Sequence, residues 1–250
     1  MDYAAATRRY YAAWHDCDPA WIGQPGPHWR ATALRDEAVP FYPERYAVCL
    51  LHDGAGYVLS HAPGLTDALS PLRQRWGETV PPLAQMETAL AQVLGARPQR
   101  CVKFAFRQLQ PVADPTVRPL GPTDEADFLA FFKACHPQVT DTAWVPAYFA
   151  QIAQSGCGFG RWEDGRLVCA NDLPGMPYLA DQVQEIGINT HPAFRRRGFA
   201  TQVCRAAARA MVGRGKCPCW SCAADNEASA ALARRVGFAP LGDWLLFPAR

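Results

Sequence analysis

The hydrophobic residues between positions 185 and 211 follow two different periods, with a short polar loop between them. The apolar run from Glu185 to Thr190 is typical of a β-strand. After the loop, helical spacing is kept by Ala200, Val203, Cys204, Ala207, Ala210 and Met211. The pattern therefore predicts a strand that leads through residues 195–200 directly into a helix.

The remaining C-terminal segments alternate between helical and strand-like patterns. The predicted elements are helices over 124–135 and 142–154, hairpin strands over 158–163 and 166–170, a strand over 216–222, a helix over 226–236 and a strand over 244–247. Asp164 and Gly165 supply the positive-φ residues that a tight hairpin turn needs, and Gly237 ends the last helix. Together with the strand-loop-helix unit, these segments predict an α+β fold.

The N-terminal part carries a second set of elements. The predicted elements are strands over 47–52 and 57–61 around a glycine-containing turn, a helix over 83–94 and a strand over 101–108. Four prolines then lie within 111–122, and proline disfavours regular structure because it fixes φ and lacks an N–H donor. We therefore predict two domains: an α+β unit over 1–112 without a recognisable catalytic signature, and a second domain over 113–250.

The loop before the predicted helix has the properties of an anion site. Gly198 permits a tight turn whose backbone N–H groups point inward, and the following helix adds the positive end of its dipole. The six-residue pattern recurs at 234–239 and nearly at 74–79, but only the copy at 195–200 lies between a strand and a helix. This context favours a diphosphate-binding pocket over an arginine-rich surface turn.

Composition narrows the class of protein. With 250 residues, 49% apolar and 19% charged, the chain is predicted to be globular rather than disordered. A formal net charge of +2 is too small to favour nucleic acid, whose binding needs several neutralised phosphates. The N-terminus lacks the apolar run of a signal peptide, and no run of about 18 apolar residues occurs. We therefore predict a cytoplasmic protein without a membrane or nucleic-acid partner.

The cysteines are candidate metal ligands. Ten cysteines are dispersed through the chain, and we expect them to be reduced and mainly buried. The spacing of Cys217, Cys219 and Cys222 suggests zinc, but no second Cys-x-x-Cys pair lies at a suitable distance. On a strand, Cys222 would also face away from the other two. We therefore predict no metal.

Three segments in the C-terminal half carry a family resemblance. Residues 185–201 read EIGINTHPAFRRRGFAT, residues 220–222 read WSC and residues 226–238 read NEASAALARRVGF. In this order they resemble the GNAT superfamily of N-acetyltransferases, and within it a bacterial branch, over about residues 115–250. The resemblance implies a GNAT fold, in which a central mixed, largely antiparallel sheet is flanked by helices.

The resemblance also implies acetyl-CoA as cosubstrate and assigns contacts to it. Backbone groups of Ile188, Asn189 and Thr190 would bind the pantetheine arm. The pyrophosphate would be bound by Arg195, Arg196, Arg197, Gly198, Phe199, Ala200 and Thr201, and the last helix would add Asn226 and Ser229. Asn226 also suits the N-cap of that helix. Glu185 is the implied catalytic base, with an exposed strand end as the alternative for this residue.

The implied activity is transfer of an acyl group to a primary amine of a small molecule or protein. One departure from the family pattern concerns the acid that protonates the departing thiolate, because Ala233 stands where many relatives carry a tyrosine. Either Cys222, Ser229, Tyr178 or solvent would take its place, or the coenzyme A thiolate would leave unaided, because the pKa of its thiol is near the ordinary value of about 8.5. This gap leaves open a second hypothesis, a catalytically silent acyl-CoA-binding protein with a regulatory or interaction role.

The sequence gives less information about the acceptor-binding residues and about the oligomeric state. In the family the acceptor site would draw on the first two helices of the domain and their connection, which contain His136, Asp141, Trp144, Tyr148 and Phe149. Aromatic residues in this pattern suit a protein core equally well. The sequence does not decide whether the protein forms a homodimer or whether the 1–112 unit has a GNAT-like origin.

Overall fold

The computed structural model describes residues 1–249, which contain seven α-helices and eleven β-strands. The helices are α1 (Tyr3–His15), α2 (Thr66–Trp76), α3 (Leu83–Leu94), α4 (Glu125–Cys135), α5 (Val145–Ser155), α6 (Phe199–Gly213) and α7 (Glu227–Val236). The strands are β1 (Gly26–Ala31), β2 (Tyr46–His52), β3 (Gly56–His61), β4 (Gln99–Phe106), β5 (Val117–Pro119), β6 (Phe159–Glu163), β7 (Arg166–Asp172), β8 (Val183–Glu185), β9 (Gly187–Thr190), β10 (Cys217–Ala223) and β11 (Phe238–Pro248).

The strands form two sheets. The larger sheet has the strand order β1-β3-β2-β11-β4-β10-β8, and the smaller one has the order β5-β6-β7-β9. Within residues 1–249, the pairs β1/β3 and β10/β8 are parallel and the other pairs are antiparallel. The sheets are therefore mixed and largely antiparallel, and with the helices packed on them they confirm the predicted α+β class.

Most elements lie where the hydrophobic pattern predicted them, with two kinds of difference. The pattern did not single out α1, α2 or β1. The last strand was predicted over 244–247, but β11 begins at Phe238 because its first half pairs with β4 and its second half pairs with β4 and β2. Both partner strands, β4 and β2, belong to the N-terminal unit, so the local sequence of β11 does not indicate them.

The strand predicted over 185–190 is interrupted, and its two halves belong to different sheets. β8 pairs with β10 in the larger sheet, whereas β9 pairs with β7 in the smaller one. At the break, the Ile186 N–H donates to the Cys219 carbonyl oxygen at 3.1 Å, and Ile186 is buried. Glu185 therefore ends a strand rather than beginning one. The chain then leaves β10, and this separation opens a cleft between β9 and the start of α7.

The larger sheet contains strands from both predicted units. β4, from the 1–112 unit, lies between β10 and β11 and is hydrogen-bonded to both. Its register places Lys103 opposite Ser221 of β10. The boundary at 112/113 stays a prediction, but hydrogen bonds of the sheet cross it.

Helices cover both faces of the larger sheet. Tyr10, Tyr11 and Trp14 of α1 are at most 4% exposed, and the Trp14 ring lies edge-on to Trp244 with 4.6 Å between ring centroids. On the other face α7 packs against β10 and β11. None of the helices in the described part of the chain is both long and apolar enough to span a bilayer.

Candidate functional site

The loop between β9 and α6 adopts the tight conformation that its sequence predicts. Gly198 is the N-cap residue of α6 and has a φ of 82°, in the left-handed region where glycine lacks the steric penalty of other residues. Arg196, two residues earlier, also has a positive φ of 64°. The Arg195 Nε–H donates to the Thr190 carbonyl oxygen at 3.2 Å, which ties the loop back to the end of β9.

The N-terminus of α6 is open to an anion. Among residues 1–249 no side chain caps this helix end, so the first-turn N–H groups are available to a ligand, and the helix dipole favours negative charge there. The Thr201 N–H differs from its neighbours because it donates to the Gly198 carbonyl oxygen at 3.1 Å. The geometry therefore points to the first amides of α6 as the principal donors.

A cleft of about 580 Å³ lies beside this loop. It is lined by sixteen residues: Ile188, Asn189, Thr190, Phe194, Arg195, Arg196, Arg197, Gly198, Phe199, Ala200, Thr201, Asn226, Ala228, Ser229, Leu232 and Arg235. All twelve residues predicted to contact the cofactor are among them. Of these sixteen described residues, four are arginines and none is acidic, so the cleft is electropositive.

Four lining residues were not predicted from the sequence, and two of them had a recognisable signal. Asn226, Ser229, Leu232 and Arg235 are each three positions apart, so successive members of this series lie next to each other on α7. Leu232 and Arg235 could therefore have been inferred once Asn226 and Ser229 were assigned. Phe194 and Ala228 carried no such signal.

Asn226 holds the start of α7 in place. Its Oδ1 accepts a hydrogen bond from the Ser229 N–H at 3.0 Å, as expected of an N-cap residue. The Ser229 Oγ in turn accepts a hydrogen bond from Trp220 Nε1 at 3.1 Å. Both predicted residues therefore have structural partners and also border the cleft.

Glu185 lies at the break between the sheets, outside the set of residues that line the cleft. Its carboxylate accepts a hydrogen bond from the Ser221 hydroxyl. Lys103 faces the same side of the sheet, is 4% exposed, and has its Nζ 3.9 Å from the centroid of the Trp244 ring. Burial lowers the pKa of Lys103, while the nearby Glu185 carboxylate acts in the opposite direction.

Asp172 is a second carboxylate near the break. It ends β7 and pairs with Gly187, the first residue of β9. Its Oδ1 is buried and has no hydrogen-bond partner among the described residues. Burial raises the pKa of Asp172 to about 6, and the negative charge of Glu185 adds to this increase. Nothing in the sequence pattern marked Asp172 or Lys103, because both reach the site through strand pairing.

The residues predicted to recognise the acceptor divide into two groups. Phe149 is 1% exposed and belongs to the core between α4, α5 and the smaller sheet. Trp144 is 46% exposed, and its ring contacts those of Phe132 and Tyr148. Burial raises the pKa of Tyr148, with a further contribution from the charge of Asp172. Core packing is therefore the observed role of Phe149, whereas Trp144 presents an aromatic surface.

The structure also bears on the missing acid and on metals. Ala233 belongs to α7 and is fully buried, so its position provides no proton donor to the cleft. Among the residues that could replace the tyrosine acid, Ser229 lines the cleft. The Tyr178 ring packs against Trp14 instead, with 5.4 Å between the ring centroids. Burial raises the pKa of the Cys222 thiol. Residues 1–249 contain no cluster of three or more His, Cys, Asp or Glu side chains that could hold a metal ion.

Comparison with known proteins gives a family match. The sequence model of the family described as GNAT acetyltransferase matches residues 73–247, more than half of the chain. The match begins within α2, well before the proline-rich stretch. No curated protein sequence matches the chain.

Several solved structures are similar. An acetyltransferase from the GNAT family of Colwellia psychrerythraea has 15% identity and a TM-score of 0.55, with 82% of this chain and 81% of that chain covered. A GCN5-related N-acetyltransferase-like protein from Streptococcus suis has 15% identity, a TM-score of 0.45 and coverage of 99% and 100%. Aminoglycoside N-acetyltransferase AAC(6')-Iy in complex with CoA has 23% identity, a TM-score of 0.41 and coverage of 49% and 86%. The Colwellia structure confirms the predicted fold.

Proposed function

Because the chain belongs to the GNAT acetyltransferase family, we propose that it transfers an acetyl group from acetyl-CoA to a primary amine of a small molecule or protein. The observation that supports this most is the electropositive cleft between β9 and α7, which opens where β8 and β9 separate into two sheets. A cleft of this kind accommodates an extended ligand with one anionic end.

The residues present fit coenzyme A. Its diphosphate would be bound by the N-terminus of α6, where no side chain of the described residues caps the amides that follow Gly198. Its pantetheine arm would lie along β9, beside Ile188, Asn189 and Thr190, with Asn226 and Ser229 on the opposite side. The arginines at the cleft would add charge-assisted hydrogen bonds to phosphate oxygens.

Transfer to an amine requires removal of a proton first. An alkylammonium has a pKa of about 10.4, so roughly one molecule in a thousand is nucleophilic at pH 7. We propose Glu185 as the base, because it stands at the break through which the thioester would reach the other side of the sheet. The amine nitrogen attacks the thioester carbon and the C–S bond breaks. The sulfur leaves with the bonding electrons, and its pKa of about 8.5 allows departure without a dedicated acid.

Calorimetry with CoA and a thiol-release assay test this proposal together. Purified protein is titrated with CoA, then incubated with acetyl-CoA and a panel of primary amines. Gly198→Trp should abolish CoA binding, because an indole at a left-handed position would fill the cleft. Gly213→Trp is the matched control: it lies in the same helix, has open space around it and should bind CoA normally. Absence of CoA binding to the unmodified protein would refute the proposal.

A second candidate function is supported by one observation. The buried Ala233 deprives the cleft of the tyrosine hydroxyl that many relatives use, which is compatible with a silent acyl-CoA-binding protein. Tight CoA binding without thiol release across a broad amine panel would favour this function. Thiol release that disappears in Glu185→Gln would favour the enzyme.

A further inference from the structure

Phe41 of the N-terminal unit combines two properties that are uncommon for phenylalanine. Its side chain is 73% exposed, and its φ of 67° lies in the left-handed region that bulky residues rarely adopt. The Tyr42 N–H donates to the Val39 carbonyl oxygen at 3.1 Å, which closes a turn over residues 39–42. Pro40 is the second residue of this turn, and its third position normally favours glycine. Neither burial nor backbone conformation explains a phenylalanine there, and such strain is concentrated at sites that bind ligands.

The Phe41 ring lies on the loop that follows β7, residues 173–178. An ideal Cβ atom at Gly175 would be 2.5 Å from both Cγ and Cδ1 of Phe41, so the ring contacts the backbone of this glycine directly. The φ of Gly175 is outside the left-handed region, and backbone conformation therefore does not require glycine there. The missing side chain at Gly175 instead makes room for the aromatic ring.

The 173–178 loop is attached to the end of β8 that carries the proposed base. The Glu185 N–H donates to Met176 Sδ at 3.2 Å. The Gln184 Nε2–H donates to the Pro174 carbonyl oxygen at 2.9 Å. The loop residue between these two attachment points is the glycine that contacts the aromatic ring. The ring therefore lies one residue along the loop from a direct contact of Glu185.

Tyr42 gives a second indication that residues 39–42 lie near Glu185. Burial raises the pKa of Tyr42, and the charge of Glu185 is the next largest contribution in the same direction. The interaction between charges weakens with distance, so the turn lies at the Glu185 end of the larger sheet. The Tyr42 ring is also edge-on to Trp14 of α1, with 5.1 Å between the ring centroids, which holds the turn against the sheet.

A second exposed aromatic ring is connected to the same loop. Trp144 is 46% exposed, and its ring centroid is 5.7 Å from that of Tyr148. Tyr148 and Leu173 pack against the same core cluster, and the Leu173 backbone interacts with the Tyr148 hydroxyl. Within residues 1–249, Phe41 and Trp144 are the aromatic members of the exposed large hydrophobic side chains. Both are therefore connected to one short loop beside the proposed base.

The turn and the loop contain no charged side chain. Residues 39–42 read VPFY and residues 173–178 read LPGMPY. Removing additional charges of a ligand from water costs free energy unless the protein supplies partners for them. This surface therefore favours a ligand with an apolar body over one that carries several charges.

On the basis of the proposed function, we infer that Phe41 binds the acceptor and that the acceptor is an amine with an aromatic or other planar apolar body. With its nitrogen at Glu185, such an acceptor extends over the 173–178 loop and places its body against the Phe41 ring. Aromatic rings bind each other at a low cost in conformational entropy, because few torsions are restricted. The N-terminal unit thus supplies a residue that determines acceptor specificity.

Steady-state kinetics with 2-phenylethylamine and ethylamine test this inference. Phe41→Asn removes the ring, and asparagine tolerates the left-handed conformation. The KM for 2-phenylethylamine should rise about tenfold, while kcat changes by less than about twofold. The KM for ethylamine and the Kd for CoA should not change. An unaltered KM for 2-phenylethylamine in Phe41→Asn would overturn the inference.

Two glycine substitutions form a matched pair. Gly175→Ala retains Phe41 but displaces its ring, so it should also raise the KM for 2-phenylethylamine. Gly64→Ala is the control: a Cβ atom there has open space around it, and its φ is not in the left-handed region. It should leave this KM unchanged. An unchanged KM in Gly175→Ala, or an equal rise in both variants, would contradict a role of the ring.

Thermal unfolding separates acceptor binding from a structural role. Because the ring is exposed and the backbone of Phe41 is strained, Phe41→Asn should leave the Tm unchanged or raise it by up to about 3 °C. A decrease of more than about 5 °C would show that the ring stabilises the fold, and the inference would then fail.

Failure of the proposed function can be distinguished from failure of this inference. If the unmodified protein releases no thiol with any amine, the proposed transfer fails. The role of Phe41 is then decided by calorimetry, in which 2-phenylethylamine is titrated into protein with excess CoA. Weaker binding to Phe41→Asn than to the unmodified protein would support the inference. Equal binding to both proteins, or binding to neither, would refute it.

Discussion

Single buried ionisable residues set how this protein responds to pH. His15 of α1 is fully buried, and its Nδ1 lies 3.0 Å from the Ser60 Oγ. Burial lowers the pKa of His15 to about 3, and the neighbouring Arg35 charge adds to this effect. His15 therefore stays neutral in the folded protein over most of the accessible pH range, in contrast to Asp172, whose pKa moves upward.

His15 should make the protein sensitive to acid. Its lowered folded-state pKa contributes stability that is present above about 6.5 and is lost as pH falls towards about 3. We predict that the free energy of unfolding of His15→Gln decreases less between pH 6.5 and 4 than that of the unmodified protein. Urea unfolding at several pH values measures this slope. Equal slopes for the two proteins would contradict the prediction.

At the scale of elements, the two helices that border the cleft begin in different ways. α6 begins at a glycine without a side-chain cap and leaves its amides to a ligand, whereas α7 is capped by Asn226. The N-terminus of α6 is therefore the end that is proposed to bind phosphate, whereas the N-terminus of α7 has a hydrogen-bond partner within the protein. This difference also allows the two roles of Asn226 to be tested separately.

Substitutions of Asn226 should separate capping from ligand binding. Asn226→Ala removes the acceptor for the Ser229 N–H and should lower the free energy of unfolding by about 1 kcal/mol. Asn226→Asp keeps that acceptor and should preserve stability, but it adds a negative charge beside the proposed phosphate site and should weaken CoA binding. Denaturant unfolding and calorimetry measure the two effects. Unchanged CoA affinity in Asn226→Asp would place its side chain away from the ligand.

The elements also show why one strand was predicted as a single segment. Residues 185–190 have one continuous apolar pattern, yet Ile186 divides them between two sheets. A local pattern reports that a segment is extended, but the identity of its partner strand depends on residues far along the chain. The break that opens the cleft was for this reason not predictable from the segment itself.

At the scale of the whole molecule, the N-terminal unit completes the sheet on which the site is built. β4 separates β10 from β11, and it carries Lys103 to the vicinity of Glu185. Without β4, the facing edges of β10 and β11 would expose backbone N–H and C=O groups in the middle of the sheet.

A fragment that consists of residues 113–250 should therefore not fold by itself. We predict that it expresses as an insoluble or unfolded chain and that co-expression with a fragment of residues 1–112 restores soluble protein that binds CoA. Circular dichroism and calorimetry measure both properties. Cooperative unfolding and CoA binding by 113–250 alone would show instead that the predicted second domain is independent.

The sequence by itself determined the features that depend on neighbouring residues. The positive φ at Gly198, the helix that follows it, the Asn226 cap and the twelve predicted lining residues of the cleft all follow from local spacing and from the family resemblance. Only the tertiary structure decided which strands pair, and so it alone brought Lys103 towards Glu185 and Asp172 against Gly187. The physical reason is that the backbone hydrogen bonds between strands do not depend on which side chains the strands carry. The register is therefore set by how side chains pack across the whole sheet.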